Sequence, residues 1–215
     1  MGEIIGKTIK LLAGLALIVF DAALLVSLFL ELRRVAWLRG EPLIFLSGAG
    51  FFLILHLGFK NRPFLYVFTH EVSHAIASVL TGSKVHSIYV SNSGGTTKTE
   101  KSNLFILLFP YIFPFLAVLT FLSYRALDWA GNVKPIRPYF YFAIGLFLAH
   151  HLFFTVYFIL KGQSDIRKAG TLPGLGLVGL ANIILFAVFA DFLFSKVSLA
   201  HFWEDGIWFF RQLIL

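Results

Sequence analysis

The residues of this chain best suited to chemistry are His70, Glu71 and His74, which follow the H-E-x-x-H spacing inside an apolar run. On a helix, residues four apart differ by ~40° around the axis and ~6 Å along it, so both histidines lie on one face. Two imidazoles on one face can bind a single Zn²⁺, and the glutamate can act on the water that the metal holds. Ionisable side chains are costly within a membrane and by default indicate a functional site. The spacing therefore predicts a zinc hydrolase site at membrane depth.

A catalytic zinc needs a third protein ligand and one position left for water. Seven residues are candidates for that ligand: Asp21, His56, Asp128, His150, His151, Asp165 and Asp191. Asp165 stands out because it follows Gly162 at the end of an apolar run and precedes the Pro/Gly-rich segment 172–176. Irregular backbone at membrane depth is tolerated where it lines a protein site. His150 and His151 are interpreted as partners of a ligand or as polar contacts between helices, rather than as ligands.

The composition is that of an integral membrane protein. Of 215 residues, 58% are hydrophobic and 13% charged, whereas soluble domains average about 25% charged. The chain has no cysteine, which excludes disulfides and Cys-ligated zinc. The net charge of +7 comes from basic residues between apolar runs, a pattern typical of contacts with lipid headgroups rather than with nucleic acid.

Apolar runs long enough to cross a bilayer predict the architecture. About six transmembrane helices are expected, at Leu11–Leu32, Leu43–Phe59, Phe64–Leu80, Leu104–Leu122, Tyr139–Leu160 and Leu172–Phe194. The second and third are joined by a tight connection at residues 60–63. The tail from Ser198 to Leu215 mixes aromatic and charged residues, which indicates an amphipathic helix at the membrane surface. We therefore expect an all-α, multi-pass membrane protein with residues 1–215 in a single domain.

A small β-hairpin is predicted between the third and fourth helices. Residues 84–90 are partly β-branched and alternate in polarity, residues 91–95 are turn-like, and residues 96–99 can return as a second strand. The alternative is an ordinary loop. A functional hairpin could pair by β-addition with an extended segment of a substrate.

The stretch from His70 to Val85 resembles the site-2 protease family of intramembrane zinc metalloproteases, and most closely its M50B-like branch. In that branch H-E-x-x-H-A is followed by Thr-Gly and by a hairpin with a Gly-Gly element, which Thr81-Gly82 and Gly94-Gly95 match. The third ligand is an Asp that follows a Ser, as in Ser164-Asp165. The resemblance covers roughly Phe64 to Gly174.

The resemblance implies a zinc-dependent endopeptidase that cleaves membrane proteins. Zn²⁺ would be held by His70, His74 and Asp165, and Glu71 would activate the zinc-bound water. Gly94 and Gly95 are the expected substrate-binding residues, and His150 and His151 the expected second layer around the ligands. The expected partners are a transmembrane protein or peptide substrate and the lipid bilayer, with no nucleic acid.

Two other functions stay open at this stage. One is a catalytically inactive relative that binds membrane partners, although Glu71 would then have no use. The other is a small transporter with a His/Glu/Asp relay. The 18 basic residues divide nine to nine between alternate loops, so the positive-inside rule assigns no orientation. The substrate, the oligomeric state and the roles of Asp21 and Asp191 are likewise not assigned.

Overall fold

The apolar runs form long helices, because a backbone within a bilayer must satisfy its own hydrogen bonds. The computed structural model describes residues 2–58, 64–131 and 133–215. Its helices are α1 (Gly2–Leu32), α2 (Gly40–Gly58), α3 (Phe64–Leu80), α4 (Leu104–Ile112), α5 (Phe115–Trp129), α6 (Arg137–Leu160), α7 (Ser164–Ala169), α8 (Thr171–Leu193) and α9 (Leu199–Ile214). Strands β1 (Val85–Ser91) and β2 (Gly94–Thr99) lie between α3 and α4. The predicted connection at residues 60–63 lies outside the described residues.

Four of the described helices are long and apolar enough to cross a membrane, and up to five if a bent pair counts as one span. The four segments are Thr8–Leu32, Gly40–Gly58, Lys134–Leu160 and Thr171–Leu193. Helix α3 is a shorter apolar helix of 17 residues. The chain is thus a mainly helical membrane protein, and the count of six spans stays a prediction.

The predicted fourth helix, Leu104–Leu122, is wrong as a continuous element. It divides into α4 and α5, which are bent by 70° at residues 113–114. Pro114 has no N–H to continue the helical ladder, and the residue before a proline is disfavoured in helical conformation. Phe113 is accordingly extended, with φ −93° and ψ 104°.

The contacts divide the chain into two compact units, Trp37–Gln163 and a second made of Met1–Ala36 with Ser164–Leu215. Whether residues 1–215 act as one domain stays a prediction. In the first unit α2 packs against α6, where Gly48 and Gly145 let the two backbones approach. A Cβ added at Gly48 would overlap the carbonyl of Phe142, and one at Gly145 would overlap the carbonyl of Phe45.

The hairpin is tighter than the sequence predicts, since β2 begins at Gly94 rather than Thr96. Ser91 pairs with Gly94, which leaves a two-residue turn. The Ser91 hydroxyl donates to the Gly94 carbonyl at 2.7 Å and accepts from the Ser93 N–H at 3.3 Å. Along β2, Gly95, Thr97 and Thr99 are partly buried, whereas Thr96 and Lys98 are exposed. This alternation turns the odd-numbered residues to one side of the hairpin.

In the second unit α1 packs against α8 and α9. The Ser27 hydroxyl donates to the Phe202 carbonyl at 2.7 Å, and the buried Glu31 carboxylate accepts from the Ser198 N–H at 2.8 Å. Helix α9 occupies the tail for which the sequence predicts an amphipathic helix. Asp191, left unassigned above, accepts from the Leu199 N–H at 2.9 Å and so joins the end of α8 to the start of α9.

Candidate metal and peptidase site

Helix α3 carries His70, Glu71 and His74. The two imidazoles are 4.8 Å apart between ring centroids and meet edge to face, as the four-residue spacing predicts. His70 and Glu71 are buried and His74 is half-buried. Polar side chains in such a position require partners, because an unpaired buried polar group costs several kcal/mol, roughly 2–7 on transfer scales.

The partner of His74 is a backbone carbonyl of α4. Its Nδ1 lies 2.8 Å from the carbonyl oxygen of Ile106. A carbonyl can only accept, so Nδ1 carries the proton and the lone pair that can bind a metal lies on Nε2. Within α4, the usual donor to this carbonyl would be the N–H of residue 110, which is a proline. Because Pro110 has no N–H, the Ile106 carbonyl is available to accept the hydrogen bond from His74.

The partner of His70 is Tyr66, one turn earlier on α3. The Tyr66 hydroxyl lies 3.2 Å from Nδ1 of His70. The tyrosine ring stacks on Phe158 of α6 at 4.6 Å between centroids, nearly parallel at 7°. The ring of Tyr111 meets His70 edge to face at 5.1 Å. Sequence reasoning missed Tyr66, although its place four residues before His70 was a usable signal.

Glu71 faces the hairpin. The Thr97 hydroxyl is 2.7 Å from Oε2 of Glu71 and 3.0 Å from the Glu71 carbonyl oxygen. A Cβ added at Gly95 would lie 2.6 Å from Cγ of Glu71 and 2.8 Å from its Oε1. Gly95, predicted to bind substrate, therefore packs against the glutamate, and Thr97 is a second residue that sequence reasoning missed.

His150 and His151 lie buried on α6. The ring centroid of His150 is 6.3 Å from that of Tyr66 and 5.6 Å from that of Phe52. His150 thus lies beside Tyr66, which in turn contacts His70. This arrangement fits a supporting role, and that role stays a prediction.

A cavity of about 700 Å³ opens beside Tyr66. Its walls come mainly from α2, α3 and α6 and are largely aromatic and aliphatic, and its polar members include His56, Asn92, His150, Lys161 and Gln163. The volume falls within the range of about 300–1,000 Å³ that is usual for ligand sites. Because Tyr66 both lines this cavity and contacts His70, the cavity adjoins the H-E-x-x-H face.

Asp165 lies in the first turn of α7, a six-residue helix. Gly162 and Gly170 on either side have φ of +77° and +92°, a left-handed conformation that favours glycine. Whether Asp165 joins His70 and His74 as the third ligand of a metal stays a prediction. Two imidazole nitrogens and one carboxylate oxygen are a donor set that suits a catalytic zinc.

Comparison with protein families gives a match to the peptidase M50B-like family over residues 46–163. The match covers more than half of the chain, includes the H-E-x-x-H face and the hairpin, and ends two residues before Asp165. Neither the comparison with curated proteins nor that with solved structures gives a match. The resemblance inferred from His70 to Val85 is confirmed, and the chain belongs to the peptidase M50B-like family, within the site-2 proteases.

Proposed function

We propose that this protein is a zinc-dependent intramembrane endopeptidase. The observation that carries the proposal is the H-E-x-x-H segment of α3, where a buried glutamate directly follows His70 and His74 is oriented by the Ile106 carbonyl. A ligand whose Nδ1 proton is held by a carbonyl presents Nε2 in a fixed direction. Family membership supports the same function.

Each residue has a defined part in the proposed reaction. His70, His74 and Asp165 hold the ion, which when bound polarises the scissile carbonyl and lowers the pKa of water. The Glu71 carboxylate accepts a proton from the attacking water and delivers it to the leaving amine as the C–N bond breaks. A purely structural metal site has no use for a base at this position, so the presence of Glu71 favours a peptidase over a non-catalytic binding relative.

The proposed substrate is a transmembrane protein or peptide. A peptide bond in an intact helix is shielded by its own hydrogen bonds, so the substrate must unwind locally before hydrolysis. The apolar cavity beside Tyr66 has room for its large side chains. The unwound backbone would lie along the hairpin by β-addition, with Gly94 and Gly95 as its contacts.

The test is zinc content and cleavage in wild type and Glu71→Gln. Both proteins are purified in detergent and incubated with denatured, detergent-solubilised membrane proteins, and new N-termini are counted by mass spectrometry. Glu71→Gln should bind zinc like wild type and lose at least ~100-fold in cleavage, the usual contribution of a general base. Glu100→Gln, an exposed residue after the hairpin, is the matched control and should keep full activity. A wild type that binds no zinc, or a Glu71→Gln protein that cleaves normally, would overturn the proposal.

The third ligand has its own experiment. Asp165→Asn should weaken zinc binding by an order of magnitude or more, since an amide oxygen lacks the charge of a carboxylate. Asp128→Asn is the control, because Asp128 is an exposed partner of Arg125 at 3.0 Å. Zinc affinity is measured by competition with a chromogenic chelator. If Asp165→Asn binds zinc as tightly as wild type, Asp165 is not the third ligand.

A further inference from the structure

The hairpin meets the catalytic helix at the glutamate itself. Thr97 of β2 and Glu71 of α3 are 26 residues apart in sequence, and their hydroxyl and carboxylate oxygens are 2.7 Å apart. That length is usual for a hydrogen bond from a hydroxyl to an oxygen acceptor. The Thr97 hydroxyl is the donor in this hydrogen bond, and Oε2 of Glu71 is the acceptor.

The approach of β2 depends on a glycine. Gly95 is two residues before Thr97 and so lies on the same side of the strand. A side chain there would collide with Cγ of Glu71 and with Cγ1 of Val67, each at 2.6–2.8 Å from the added Cβ. Gly95 therefore brings the strand into contact with α3, and Thr97 makes the hydrogen bond.

We propose that Thr97 is a positioning residue that holds the Glu71 carboxylate in place for proton transfer, and that Gly95 is required for this contact. The inference rests on the proposed function. It gives the hairpin a direct part in catalysis, in addition to contact with the substrate. A base held at one oxygen keeps a single rotamer and presents its other oxygen to the water, and catalytic geometry is sensitive to displacements of about 1 Å.

The first test separates the hydroxyl from the shape of the side chain. Thr97→Val keeps the branched shape and removes the donor, whereas Thr97→Ser keeps the donor. Cleavage of one peptide chosen from the mapped sites should show kcat reduced about 10-fold or more in Thr97→Val, as expected for loss of one hydrogen bond to a charged group. KM should stay within twofold and zinc content should be unchanged. Thr97→Ser should recover most of the rate.

The matched control is Thr96→Val. Thr96 is exposed, and its hydroxyl donates to the carbonyl of Gly95 at 2.8 Å. It tests whether a valine in β2 disturbs catalysis by itself, and it should leave kcat unchanged. An unchanged kcat in Thr97→Val, or an equal loss in Thr97→Val and Thr97→Ser, would overturn the proposal.

A second measurement does not depend on cleavage. Thermal unfolding in detergent is compared for Thr97→Val, Glu71→Ala and the double variant. If the two side chains interact, the double variant should lose less stability than the sum of the single losses. Additive losses would overturn the contact. A wild type that binds zinc but cleaves nothing would instead overturn the proposed function, and with it the catalytic role of Thr97.

Discussion

At the scale of residues, the side chains of the site are held in place by neighbours that take no part in the proposed reaction. His74 is oriented by a carbonyl that Pro110 leaves without a helical donor, and His70 by the hydroxyl of Tyr66. Such partners determine which imidazole nitrogen carries the proton and in which direction the other points. The affinity for the ion should therefore depend on residues that never touch it.

Tyr66→Phe tests this dependence. The ring and its stacking on Phe158 are kept, and only the hydroxyl beside His70 is removed. Loss of such a partner typically costs about 10–100-fold in metal affinity, so we expect a zinc Kd at least 10-fold higher than that of wild type. Chelator competition measures this value. Tyr124→Phe, in a tyrosine stacked on Phe140, is the control and should leave the Kd unchanged. Equal values in the two variants would show that the Tyr66 hydroxyl does not support His70.

At the scale of elements, α6 supports the site through its aromatic face and packs on α2 through glycine. Phe154 and Phe158 of α6 stack on Tyr66. In an apolar solvent helices gain little from burying apolar surface, so close packing of backbones at small residues contributes more. The contact at Gly48 and Gly145 therefore decides where the aromatic face of α6 lies.

Gly145→Ala should disrupt this contact. The added methyl group would overlap the carbonyl of Phe45, so the helices must separate, at a cost of about 1–3 kcal/mol that is typical of overpacking. Gly50→Ala on α2 is the control: its Cβ would have no neighbour within 4 Å, and alanine favours a helix over glycine by up to about 1 kcal/mol. Thermal unfolding in detergent should show Gly145→Ala less stable than wild type and Gly50→Ala equal or more stable. A Gly145→Ala protein more stable than Gly50→Ala would contradict the close contact at Gly145.

At the scale of the whole molecule, the chain is a membrane protein in which the site residues His70 and Glu71 are buried. Four described helices have the length and composition of spans, and the bent pair of α4 and α5 is a fifth candidate. The bend lies at residues 113–114, after Ile106 of α4, whose carbonyl accepts a hydrogen bond from His74. The segment that breaks into two helices therefore also supplies a contact to the site.

Alkaline extraction tests the membrane assignment. Proteins held at a bilayer by charge are released at high pH, whereas spanning helices are retained by the hydrophobic effect. We expect the full chain to stay in the membrane pellet at pH 11 and to enter solution only with detergent. Immunoblotting of pellet and supernatant measures the distribution. A chain recovered mainly in the alkaline supernatant would contradict the spans.

The sequence by itself determined those features that depend on local periodicity. The one-face placement of His70 and His74 follows from the helical repeat, and the apolar runs follow from the thickness of a bilayer. The hairpin was predicted from alternation and turn residues, but its predicted turn, residues 91–95, is three residues longer than the observed two-residue turn. The family resemblance rested on short motifs, and a match over residues 46–163 confirmed it.

Only the tertiary structure decided which residues orient the site, because those contacts join segments whose patterns say nothing about each other. No periodicity relates Thr97 to Glu71, or the Ile106 carbonyl to His74, and both pairs meet because β2 and α4 pack on α3. The sequence shows a proline at position 114, where the helix breaks. The 70° angle between α4 and α5 depends on how these helices pack. Local physics placed the reactive groups on a helix, and the packing of distant segments determined the partners that hold them.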